Sequence, residues 1–105
     1  MDRLEVLVDQ DCIDLGTPGS GPECPIALAL LNTHITDCYV GYSTTRIGYP
    51  DEKKDSFKRV DLTNTSDVTD WIEDYDAGGY VEPFKVVLED GKLIMEVIEE
   101  AIKNV

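Results

Sequence analysis

Pro25 opens the run Ile26, Ala27, Leu28, Ala29, Leu30, Leu31, and a loop rich in glycine and proline precedes it. Proline suits the first position of a helix, where its missing N–H has no partner to lose. The spacing predicts a helix over residues 25–32 that is apolar nearly all round. Such a helix has no side to leave in water and is buried between other elements. A chain of 105 residues supports one core and therefore one domain, 1–105. The rest of the sequence must wrap this helix.

Leu4, Val6 and Val8 alternate with Glu5 and Leu7, a strand signature. Asp9 follows and can cap a short helical turn that stops at Gly16. Residues 38–43 and 45–49 are rich in Tyr, Val, Thr and Ile and read as strands, as does 57–62. The last two of these flank a polar stretch, residues 50–56, and predict a hairpin with a long tip. Val68, Trp71, Ile72 and Tyr75 form an i, i+3, i+4, i+7 stripe. Thr65 or Ser66 caps that helix, and Gly78 and Gly79 end it. Phe84, Val86 and Leu88 mark a strand over 83–89. Ile94, Val97, Ile98, Ala101, Ile102 and Val105 predict a final helix over 92–105. The competing reading is a strand over 92–97 after a tight Asp90-Gly91 hairpin. The expected fold is α+β: a small, mostly antiparallel β-sheet packed against two or three helices.

Charge restricts the partners. Twenty-two acidic residues face nine basic ones, for a net charge of -13. That balance opposes direct binding to nucleic acid or to an anionic membrane. It suits a basic protein surface, especially one that normally holds nucleic acid. No Lys or Arg occurs from residue 4 to residue 45, or from residue 60 to residue 84. The three cysteines, Cys12, Cys24 and Cys38, are odd in number and widely spaced, which is no disulfide framework. The N-terminus has no signal-peptide design and no apolar run reaches a membrane span, so the cytoplasm, with reduced thiols, is the expected compartment.

The candidates for chemistry weaken when each is tested for partners. Cys24 at a helix N-terminus could be a low-pKa thiolate, but a nucleophilic cysteine also needs a base. The sole histidine, His34, lies ten residues on, beyond a helix roughly 12 Å long. Cys24 is expected as a cap or a small core residue. Cys12, Cys24, His34 and Cys38 could supply four zinc ligands, yet they lack the short paired spacings of zinc sites. Asp9, Asp11 and Asp14 lack the glycine and the closing glutamate of a calcium loop. The adjacent acids Glu73-Asp74 and Glu99-Glu100 read as solvated helix faces, and the glycine loop lacks the Gly-Lys-Ser/Thr of a phosphate cradle. No catalytic residue, no metal and no cofactor is expected.

The acidic helix is the more informative feature. Asp67, Asp70 and Asp74 share one face, and Glu73 and Asp76 lie on the other flank of the apolar stripe. Carboxylates about 5–6 Å apart along a helix approach the roughly 6–7 Å between phosphates of one nucleic-acid strand. These five residues are the expected partner-binding set. An acidic solvent face that serves only solubility has the same pattern.

The segments "LEVLVDQDCIDLG", "CPIALAL", "VGYSTTRIG" and "DLTNTSDVTDWIEDYDAGGYVEPFKVVLE" together resemble a group of small bacteriophage-encoded proteins. The resemblance covers residues 4–89. It implies a viral context and a place in the host cytoplasm, and carries no catalytic residues. The expected function is that of a non-enzymatic accessory protein that binds and inhibits a host defence protein with a basic surface, in the manner of an anti-CRISPR. Two alternatives stand beside it: a module that sequesters a small ligand or nucleotide with the glycine loop, Tyr39 and Tyr42; or a structural protein that dimerises through its C-terminal helix.

Overall fold

The computed structural model of the chain describes residues 3–51 and 56–98. In order, the elements are β1 (Leu4–Val8), α1 (Gln10–Leu15), α2 (Pro25–Leu31), β2 (Asp37–Val40), β3 (Thr44–Asp51), β4 (Ser56–Asn64), α3 (Ser66–Asp76), β5 (Phe84–Glu89) and β6 (Lys92–Glu96). The strands form one six-stranded sheet in the order β1-β5-β6-β4-β3-β2. The α+β class stands, but the expectation of a mostly antiparallel sheet needs correcting. The sheet is mixed: β4 and β6 run parallel, Thr63 opposite Lys92 and Asn64 opposite Leu93. That junction joins an antiparallel half, β1-β5-β6, to another, β4-β3-β2.

The largest departure is at the C-terminus. Residues 92–96 form β6, so the helix expected over 92–105 does not begin there, and residues 99–105 lie outside the described residues. Asp90 and Gly91 both have positive φ, 53° and 73°, the backbone of a two-residue hairpin turn. That turn lays Leu93 against Leu88 and Ile94 against Val87. The i, i+4 pattern lost to a pairing that buries Leu93 completely. Over residues 92–96 the chain therefore offers a strand, and no helix, for a second copy to pair with.

One face of the sheet is covered and the other is open. Val6, Val8, Phe84, Val86, Leu88, Leu93, Leu62, Ile47 and Cys38 point to the covered face and are buried. α2 fills the centre of that layer: Pro25, Ile26, Ala27, Ala29 and Leu30 are buried, while Leu31 at its end is exposed. Ile26 and Leu30 are fully buried, each worth about 1.5–3 kcal/mol of transfer from water. Cys24 occupies the N-cap position but its side chain makes no capping bond, so it acts there as a buried small residue. Asp9 does cap α1, its carboxylate accepting the Cys12 N–H at 2.9 Å. α3 is tied to both neighbours: Tyr75 Oη donates to the Ile13 carbonyl at 3.0 Å, and Trp71 Nε1 to the Glu82 carbonyl at 3.0 Å.

The open face carries the bases among acids and apolar side chains such as Leu7, Val87 and Ile94. Alternation along the strands puts Arg46, Arg59, Lys85 and Lys92 there, opposite the buried residues. Arg3 joins them by meeting Glu5, Glu89 and Glu96 at 3.1, 3.5 and 2.8 Å, and Lys85 bonds Glu5 at 2.8 Å. Arg46 pairs with Asp61 at 2.9 Å across β3 and β4. Each such pair is solvent-screened and worth about 0–1 kcal/mol. Lys58 alternates to the other side, at the outer end of β4.

Candidate functional site

α3 presents four of the five predicted partner-binding residues together. Val68, Trp71, Ile72 and Tyr75 dock the helix on the core, which leaves Asp67, Asp70, Glu73 and Asp74 exposed along its outer side. Asp67 lies in the first turn, where the helix dipole favours a negative charge. Thr65 holds the N-cap position, but its hydroxyl is buried with no hydrogen-bond partner, so the expected cap is one of position only. At the other end Gly78 has φ of 80°, and the Gly79 N–H returns to the Asp74 carbonyl at 2.9 Å, a left-handed helix stop that favours glycine.

The rest of the helix layer has the same sign. Residues 9–36 hold four carboxylates and residues 65–83 hold six, ten in all, with no Lys or Arg in either stretch. These stretches make up α1, α2, α3 and their loops. Among the described residues the charge is therefore uneven: the helices and their loops carry acids without bases, and on the open sheet Arg3, Lys85 and Arg46 pair with acids.

Asp76, the fifth predicted residue, is placed differently. It is half-buried and faces a cleft at the C-terminal end of α3. Its Oδ1 accepts the Gly19 N–H at 2.8 Å and its Oδ2 accepts the Tyr42 O–H at 2.7 Å. The carboxylate thus holds the glycine loop and the β2–β3 loop to one helix end. It also raises the Tyr42 hydroxyl above its ordinary pKa, because the bond favours the protonated phenol. The cleft has a volume of about 120 Å³, with Tyr39 and Tyr42 at its sides and Cys24, Val40 and Ile72 beneath.

A buried polar cluster sets the Tyr42 loop. Asn64 accepts from the Thr45 hydroxyl at 2.8 Å and donates to the carbonyls of Gly41 and Tyr42 at 2.7 and 3.1 Å. The Thr69 hydroxyl donates to the same Tyr42 carbonyl. Sequence reading missed Asn64 and Thr45. The signal was a threonine and an asparagine at strand positions whose alternation points inward.

Burial disfavours the thiolate form of the cysteines. Burial pushes the Cys24 thiol up to about 11 and the Cys38 thiol up to about 12, so desolvation outweighs the helix N-terminus at Cys24. His34 is exposed and sits edge-on to Tyr49, 5.6 Å between ring centres. Among the described residues no group of three or more His, Cys, Asp or Glu is placed to hold a metal, and no helix is long and apolar enough to cross a membrane. No protein-family model, no curated protein and no solved structure matches this chain.

Proposed function

We propose that this chain is a non-enzymatic phage accessory protein that binds and inhibits a host defence protein. Its acid-only helix layer, led by Asp67, Asp70, Glu73 and Asp74, lies on a basic surface that otherwise holds nucleic acid. The observation that carries this reading is the segregation of charge. Ten carboxylates on chain stretches that contain no base give the layer a negative field, while on the open sheet Arg3, Lys85 and Arg46 are engaged with acids of their own. Such a field steers association with a basic partner and orients the encounter. α3 is anchored along its whole inner stripe, so its carboxylates are presented on a rigid element and little ordering is needed on docking. The nucleotide-sequestering alternative fits the cleft poorly. About 120 Å³ is below the ~300 Å³ of the smallest usual ligand pockets, and Asp76 at its side repels phosphate.

The test is capture of a host protein by the tagged chain, with and without Asp67→Lys, Asp70→Lys and Asp74→Lys together. Capture should be lost in the triple variant, weakened by salt, and competed by the nucleic acid that the host protein binds. Capture that survives the triple reversal refutes this function.

A further inference from the structure

The cleft at the end of α3 combines four features that all attract a positive charge. The Asp76 carboxylate uses one acceptor position on each oxygen and keeps a further lone pair on each, along with its charge. α3 ends at Asp76, so the negative end of the helix dipole points there. Tyr39 and Tyr42 are more than half exposed, at 59% and 52%, and offer aromatic surface at the sides, which binds cations through the ring quadrupole. Glu73 adds negative potential at Tyr42. No Lys or Arg lines the cleft; Arg46, which lies across from Tyr39 on β3, is paired with Asp61.

The site is also built in shape. The Tyr39 ring lies so close to Gly21 that a Cβ there would come within 2.6 Å of it. Gly21 thus needs its missing side chain to let the ring close down. The Val40 N–H donates to the Gly21 carbonyl at 3.1 Å, tying the glycine loop to the edge of β2. With Cys24, Val40 and Ile72 below, about 120 Å³ suits one side-chain head and part of its alkyl stem.

We propose that this cleft receives the guanidinium of an arginine side chain from the partner protein, held between Tyr39 and Tyr42 and paired with Asp76. This deepens the docking reading and rests on it: the exposed carboxylates of α3 supply the general field, and the cleft supplies a specific anchor. A flat, weakly hydrated guanidinium stacks on aromatic faces and pairs with carboxylate better than an ammonium does.

The experiment is an amide-resolved NMR titration of the full chain with Nα-acetyl-arginine amide, run beside the lysine, norleucine and glutamate analogues. Shifts should concentrate at the amides of Gly19, Gly21, Gly41 and Tyr42. The dissociation constant of a single side chain should be on the order of millimolar, at least threefold tighter for arginine than for lysine, and norleucine should give none of these shifts. Tyr39→Ala and Gly21→Val should each weaken the arginine response severalfold while leaving the fold's amide spectrum in place. The triple lysine variant of Asp67, Asp70 and Asp74 should retain the shifts at Gly19 and Tyr42, whatever it does to host capture, so the two readings fail separately. Absence of shifts at these amides, equal shifts with norleucine, or arginine shifts confined to the outer side of α3 would overturn the anchor. An equal response to free guanidinium ion and to the acetylated amino acid would reassign the cleft to a small free cation.

Discussion

Asn64→Ala is the sharpest test of how the interior sets the cleft. Asn64 is only 7% exposed and makes three side-chain hydrogen bonds, to Thr45, Gly41 and Tyr42. Each bond contributes about 1 kcal/mol net, and a stranded buried hydroxyl costs about 1–3 kcal/mol more. Thr45 is fully buried, so its hydroxyl is the group left stranded; the two carbonyls belong to a loop that water reaches more easily. The expected loss is about 3–4 kcal/mol, a large part of the ~5–15 kcal/mol available to a domain of this size. The Tm should fall by about 12–32 °C, at ~4–8 °C per kcal/mol. Urea unfolding of wild type, Asn64→Ala, Thr45→Val and the double variant closes a cycle. Thr45→Val alone should be milder. In the double variant no hydroxyl is stranded, so the losses should be less than additive by about 1 kcal/mol. Exchange of the Gly41 amide, bonded to the Thr44 carbonyl, should accelerate in Asn64→Ala because the loop loses its clamp. A loss under ~1 kcal/mol, or strict additivity in the cycle, would refute the claim that this cluster is a single satisfied unit.

Further outcomes follow from the same structure. Raising NaCl from about 20 mM to about 300 mM shortens the screening length from roughly 20 Å to roughly 6 Å and should raise the Tm, because like-charge repulsion across the helix layer outweighs the exposed pairs of Arg3; a falling Tm would refute this. The contribution of the buried thiols to stability should be flat below about pH 9 and decline above it, since the folded thiols of Cys24 and Cys38 hold their protons to about 11 and about 12 against an ordinary value of 9.0. The unfolded chain gives those protons up first, and linkage then favours unfolding as pH rises through that window; Cys24→Ala with Cys38→Ala should flatten the decline in alkaline urea titrations. Asp9→Ala should lower the Tm at neutral pH. The Cys12 N–H holds the Asp9 carboxyl below its usual range, so this contribution is present above the ordinary carboxylate pKa and is lost as pH falls through the lowered one; the variant's Tm should approach wild type in acid.

What the sequence determined by itself was local. Asp9 caps α1, Pro25 starts α2, the Val68-Trp71-Ile72-Tyr75 stripe makes α3, and Gly78 stops it. Each depends on residues within a turn or two of one another, so neighbours in the chain carry the whole signal. The outward placement of Asp67, Asp70, Glu73 and Asp74 follows from the same 3.6-residue period. Tertiary structure decided the remainder. Residues 92–96 could satisfy a helical or a strand pattern, and the bonds offered by β5 and the end of β4 settled the matter. The parallel β4–β6 junction has no local signature, because it joins segments that are separated in the chain by α3 and β5. Asp76 shares the composition of its neighbours yet faces inward, since the Gly19 amide and the Tyr42 hydroxyl reach it from 57 and 34 residues away. The uneven charge has a mixed origin: the gaps in Lys and Arg are plain in the chain, but only the packing of helices on one face of the sheet turns them into an acidic surface.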